Sequence, residues 1–299
     1  MIVISASIGV GLLVGVTVYL LLRRWPLLDP GAPGGAVRAV GERVRTEAND
    51  PSSTFWRRRR DPSTVTGLAL TAGVAVIGLG GGVLAVLAAL VQSNPTLARI
   101  DRGAATWGHT NATHASTPFV RAITQGGSTV TVAILAIVVS AIAAFTTRRS
   151  APTVAGFLLV VVLGQNLVAN LVKGIVDRAR PPGHVLAGFA GPSFPSGHTT
   201  AAFATFAAIA LIGGRGRPGS QQAVMLGVAS GAAAMVGASR VLLGAHWLSD
   251  VVAGAALGGA WFALAAIAFG GRLLQFGLPV EAGERAAELD AHHDRSETV

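Results

Sequence analysis

The chain has no cysteine, one tyrosine, one lysine and only 14 acidic residues in 299. Without thiols there can be no disulfide, thiolate metal site or cysteine nucleophile, and the compartment is left open. Charged residues make up 12%, about half the share of an ordinary soluble domain. Hydrophobic residues make up 51% and come in blocks with few charges inside them. This pattern excludes a soluble enzyme, a disordered polypeptide and a nucleic-acid binder, despite the net charge of +9. With a mean hydropathy of +0.58, the chain reads as a polytopic, all-α membrane helix bundle.

A helix needs roughly 20 apolar residues to cross the hydrocarbon layer. Seven stretches meet or approach that length: 2–22, 67–91, 128–146, 153–172, 198–213, 223–243 and 247–270. The fifth is short and borrows 194–197 for its first turn. The first lacks the positive leader of a signal peptide and is followed by Arg23 and Arg24, so it reads as an anchoring helix.

Basic residues set the expected orientation. If seven helices alternate, 16 of the 23 basic residues fall on one side, which is then cytoplasmic. The N-terminus is thus expected outside and the C-terminus inside. The expected organisation is an N-terminal transmembrane helix (1–24), a basic Pro/Gly-rich cytoplasmic linker (25–66), a six-helix core (67–272) and a polar cytoplasmic tail (273–299). The Arg57–Arg60 run beside Trp56 reads either as a contact with anionic headgroups or as a topogenic signal.

The seven remaining basic residues include the single lysine, Lys173. Asn166 and Asn170 precede it at helical spacing, so the three share one face. Polar groups in a membrane helix face the bundle interior or a wet cavity and are functional candidates. Interhelical hydrogen bonding is an equal alternative for the two asparagines. Downstream stand Arg180-Pro181, then Pro195-Ser196-Gly197-His198 opening the fifth span, then Ser239-Arg240 and His246 with Asp250 between the sixth and seventh.

In these residues the sequence resembles the type 2 phosphatidic-acid phosphatase superfamily, whose signature is K-x6-RP, PSGH and SR-x5-H-x3-D. All three parts stand here in order, and the resemblance covers about 67–270. It implies a six-helix phosphatase core, here with one extra N-terminal helix, acting on a lipid phosphate or pyrophosphate at the extracytoplasmic face. Lys173, Arg180 and Arg240 would supply three cations around one phosphate. Ser196 and Gly197 would add the anion-favouring start of a helix. By the same resemblance His246 forms a phosphohistidine, Asp250 orients it, and His198 protonates the leaving oxygen and later activates water. No acidic cluster for a divalent ion is evident, so hydrolysis is expected without metal or other cofactor.

The expected partners are the lipid substrate and the bilayer, with no nucleic acid; oligomeric state is not legible. The Ala-, Gly- and Arg-rich composition looks bacterial, which puts undecaprenyl or decaprenyl pyrophosphate first among substrates, then phosphatidylglycerophosphate and phosphatidic acid. A phosphotransferase, a vanadate haloperoxidase and a non-enzymatic anion or lipid transporter are the rivals. Asp177 and Arg178 are expected to pair with each other or tune the site. His109, His114 and His184 read as solvated loop residues, and Gly254-x3-Gly258 as a close helix contact.

Overall fold

The structure, a computed structural model, describes residues 2–24, 65–146, 151–182, 191–215 and 217–269. The basic linker, the polar tail and His184 lie outside the described residues. Among the described residues there are nine helices and no strand. They are α1 (Ile2–Arg24), α2 (Val65–Leu90), α3 (Pro95–Asn111), α4 (Ser116–Gln125), α5 (Thr129–Thr146), α6 (Ala151–Val176), α7 (Gly197–Gly213), α8 (Gly219–Leu242) and α9 (Leu248–Ala268). Six are long and apolar enough to cross a membrane, and α7 is a shorter apolar helix of 17 residues. The chain is a polytopic membrane helix bundle.

α7 lies at the centre, packed against α5, α6, α8 and α9. Its small side chains make this possible: Ala201, Ala202, Ala204, Ala208 and Ala210 are all buried. Gly254 and Gly258 bring α9 onto it, since a Cβ at either would meet the Ser196 or Thr200 carbonyl oxygen within 2.7 Å. α7 starts at Gly197 with Ser196 as its cap, so the borrowed turn is shorter than the sequence implied.

The extra helix α1 is not a loose anchor. Gly11 and Gly15 lie directly on Gly227 and Gly231 of α8, close enough that a Cβ on Gly15 would reach the Gly227 carbonyl oxygen at 2.9 Å. Such small-residue crossings let helix backbones touch where no hydrophobic effect drives association. Near its N-terminus, Val3 is buried with Val120, Leu242 and Leu243.

Residues between the second and third spans, expected only as a loop, form two further helices. Asn94 caps α3, its side chain accepting from the Leu97 N–H at 2.9 Å, and Pro95 takes the first turn. α3 buries Asp101 and Gly108, and α4 buries Val120 and Thr124, while their other faces are exposed.

Candidate active site

The eight residues singled out from the motifs meet at one end of the bundle, where α6 stops, α7 starts and α8 turns into α9. That last turn explains the spacing between Arg240 and His246. Gly244 has φ 67, a conformation open to glycine. Its N–H bonds the Val241 carbonyl and the Ala245 N–H bonds the Arg240 carbonyl, a Schellman arrangement. The chain therefore doubles back within one turn and sets His246 beside the end of α8.

The three cations donate to neutral oxygens. Lys173 Nζ bonds the Pro192 carbonyl at 3.0 Å. Arg180 bonds the carbonyls of Gly191 at 2.9 Å, Ala245 at 2.7 Å and Pro192 at 3.3 Å. Arg240, 1% exposed, bonds the Thr124 hydroxyl at 3.0 Å. Partial burial lowers the Arg180 guanidinium from its ordinary range while Asp250 pulls it back up; arginine stays charged throughout. A Cβ on Gly197 would touch only the Lys173 side chain, at 4.0 Å, so the lysine lies over the start of α7. The α7 dipole and its first N–H groups add to the positive potential.

His246 is buried, with Nε2 3.4 Å from Arg180 Nη1 and Nδ1 3.5 Å from Asp250 Oδ2. The second distance is long for a hydrogen bond, and Nδ1 has no closer acceptor. Burial pushes the imidazole down to about 4; Asp250 raises it, and Arg240 and Arg180 lower it further. The ring is therefore neutral at pH 7, with one nitrogen facing a carboxylate and the other facing the cations. His198, half-buried on the first turn of α7, lies within electrostatic reach of Arg240, His246, Lys173 and Arg180.

Asp250 does more than face His246. Its Oδ2 caps α9 by accepting the Trp247 N–H at 3.0 Å, and its Oδ1 accepts from Arg178 at 2.6 Å. Arg178 also reaches Asp101 at 2.7 Å, and Asp101 in turn accepts from the Ser249 N–H and hydroxyl. Trp247 lies on the Arg178 guanidinium, 5.4 Å from ring centroid to carbon, and its indole N–H bonds the Ala179 carbonyl. Arg178 thus turns to two other carboxylates and not to Asp177, which is exposed at a positive φ of 43.

Sequence reasoning missed Asp101 on α3 and Thr124 on α4. The Asn94-Pro95 start of α3 was the available signal. Other expectations need adjustment. The Ser196 N–H is committed to the Asp250 carbonyl at 3.0 Å, so the anion-facing backbone donors begin at Gly197, while the buried Ser196 hydroxyl accepts from Thr199 and keeps its own O–H to donate. Asn166 and Asn170 are exposed and bond each other at 3.2 Å; neither glues two helices nor faces the interior. His109 is exposed on the last turn of α3, and His114 is exposed just beyond it.

Residues 154–273 match the family model of the PAP2 superfamily. The lipid A 1-phosphatase of Rhizobium etli is 40% identical over 126 residues, covering 37% of this chain and 48% of the relative. Phosphatidylglycerophosphatase B of Bacillus subtilis is 36% identical over 106 residues, covering 34% and 52%. The chain spans about half the length of the curated relatives it matches. The crystal structure of a transmembrane PAP2-type phosphatidylglycerolphosphate phosphatase from Bacillus subtilis superposes with a TM-score of 0.57 at 24% identity, over 64% of this chain and 93% of that one, and shows the shared fold.

Proposed function

We propose that the PAP2 domain hydrolyses a phosphate or pyrophosphate carried by a membrane lipid, through a phosphohistidine on His246. The observation that carries this reading is the position of His246: Nδ1 towards Asp250, Nε2 towards Arg180, and cations from three elements around the space it faces. The lipid phosphatases among its relatives support the substrate class.

Lys173, Arg180 and Arg240 neutralise the phosphate oxygens as charge builds on them. The Nε2 lone pair attacks phosphorus, the bond to the leaving oxygen breaks, and that oxygen takes a proton from His198. Asp250 stabilises the imidazolium-like phosphohistidine through Nδ1–H. His198, now neutral, removes a proton from water, whose oxygen displaces Nε2 and releases inorganic phosphate. No divalent ion is required by this scheme, because Lys173, Arg180 and Arg240 supply the positive charge that the phosphate oxygens need. Activity is expected to survive chelation by EDTA. The charge distribution along the chain favours an extracytoplasmic site, with 67–272 as the phosphatase core and 1–24 as an added membrane helix.

The deciding experiment is quench-flow with radiolabelled substrate on the purified protein and its two histidine variants. His246→Ala should abolish turnover, by a factor of order 10⁴–10⁶ as for loss of a nucleophile, and leave no phosphoenzyme. His198→Ala should lose about 10²–10⁴-fold with an alkyl leaving group. A nitrophenolate, which leaves without a proton, should partly spare the first step and let the phosphoenzyme accumulate. A labelled intermediate in His246→Ala, or restoration of EDTA-treated enzyme only by magnesium, would overturn this mechanism.

A further inference from the structure

α6 carries three side-chain amides: Gln165 is buried and bonds the Val162 carbonyl at 3.2 Å, whereas Asn166 and Asn170 are exposed. The helix has 26 residues, about 39 Å at 1.5 Å each, against a hydrocarbon layer of about 30 Å. Asn170 lies three residues and Asn166 seven residues below Lys173, about 4.5 and 10 Å along the axis, so both sit inside that layer. The side they occupy faces lipid: Leu159, Leu163, Leu167, Leu171 and Ile175 are all exposed along it. Helical spacing confines Asn166, Asn170 and Lys173 to an arc of about 60°. On the bundle side of that arc, Val162 packs on Val132 of α5 and Ala201 of α7. The three polar residues thus form a strip along the edge where α5 meets α6, running from the phosphate site into the leaflet.

The bond from Asn170 Nδ2 to Asn166 Oδ1 uses one donor and one acceptor. The exposed Asn166 amide N–H groups and Asn170 carbonyl are not used by that bond, and an unmatched amide is costly in hydrocarbon. A ligand whose phosphate is held at Lys173 and whose body lies in the leaflet would pass along this strip. Where the phosphate sits directly on an acylated glycerol or sugar, as in phosphatidic acid, ester or amide carbonyls follow it after two or three carbons. In a polyprenyl phosphate, hydrocarbon begins at the phosphate ester and offers nothing to bond.

We propose that Asn166 and Asn170 form a polar subsite within the leaflet that hydrogen-bonds the acyl-linkage carbonyls of the lipid substrate. The subsite makes the enzyme select phosphorylated acyl lipids over polyprenyl phosphates. This inference rests on the lipid phosphatase reading above, and it moves polyprenyl pyrophosphate from first place among the substrates to below the acyl lipids. Continuity with Lys173 favours a lipid over a second copy of the chain as the occupant.

The test compares a diacylglycerol phosphate with its dialkyl-ether analogue of equal chain length, which lacks only the carbonyls. A polyprenyl phosphate and a short soluble phosphomonoester are run alongside. Wild type should favour the diester in kcat/KM by about three- to tenfold per hydrogen bond, and the difference should lie in KM because the contact is far from the reacting atoms. In Asn166→Leu/Asn170→Leu the diester-to-diether ratio should fall to near one, with turnover of the soluble ester identifying folded protein. Asn170→Gln, which keeps an amide, should retain part of the ratio. Equal rates on both lipids in wild type, or an unchanged ratio in the double variant, overturns the proposal. A dimer that dissociates in the double variant with the ratio unchanged does so too, and assigns the strip to a second copy. Hydrolysis of the soluble ester but of no lipid by wild type removes the lipid phosphatase reading itself, and the subsite with it.

Discussion

Arg178 and Arg180 stand two residues apart on the same segment and serve opposite ends. Arg178 sits between two buried carboxylates, Asp101 and Asp250, which cancel its charge locally. Arg180 donates to the carbonyls of Gly191, Pro192 and Ala245 and faces His246, so neutral oxygens hold it in place beside the histidine. One side of the site is therefore an ionic scaffold of one arginine between two carboxylates, and the other is a set of cations fixed by neutral oxygens. Lys173 and Arg240 follow the second pattern. A cation bonded to carbonyls can still neutralise an incoming phosphate, whereas one shared by two carboxylates has little to offer it.

The comparison breaks most sharply on substitution of each arginine. Arg180→Ala and Arg240→Ala are each expected to lower kcat by about 10²–10³-fold, as for removing one donor from a charge-stabilising site. Steady-state assays beside thermal denaturation in the same detergent measure both effects. Arg178→Ala instead leaves Asp101 and Asp250 buried without a counterion, a change that typically costs about 3–5 kcal/mol of stability. A variant of Arg178 with normal melting and only a catalytic defect would erase the distinction.

A smaller effect is expected at Asp101, which holds Arg178 and the start of α9 but not the reacting atoms. Asp101→Asn keeps an acceptor for Ser249 and loses the charge partner of Arg178, so melting should fall by an amount equivalent to about 1–3 kcal/mol. The kcat should fall more than KM rises, because Asp250 loses its fixed neighbour. An increase in KM alone would place Asp101 in substrate binding.

The smallest effect is a shift in pH dependence. His246, pushed down to about 4, is already neutral well below pH 6.5, so the acid limb of kcat/KM due to it should lie near pH 4. Asp250 raises this value and Arg180 lowers it. Asp250→Asn should therefore move the limb to lower pH, and Arg180→Ala to higher pH. Comparing variants on one substrate cancels the ionisation of the substrate. Shifts in the opposite directions would mean that the limb belongs to another group.

Much of the molecule was legible before any coordinates. Apolar runs marked six helices long enough to span a membrane and the shorter α7, because backbone polar groups in hydrocarbon must be satisfied within a helix. The motif spacing brought Lys173, Arg180, His198, Arg240, His246 and Asp250 to one end of the bundle. Helices α3 and α4 were not legible as more than a loop, since amphipathic helices of 17 and 10 residues lack the continuous apolar run that marks a span.

The sequence by itself determined which residues carry charge in this membrane chain and at which helix ends they emerge. That follows from local chemistry: hydropathy, spacing and the scarcity of charge elsewhere. Only the tertiary structure decided what each charge does. Asp101 meets Ser249 across 148 residues of chain, and Arg178 meets Asp250 across 72. Whether an arginine is cancelled or left available depends on the partner that packing delivers to it. The same holds for Asn166 and Asn170. Spacing placed them on one face of α6, but the neighbouring helices decided that this face stays exposed, because close packing covers whichever face the small residues allow.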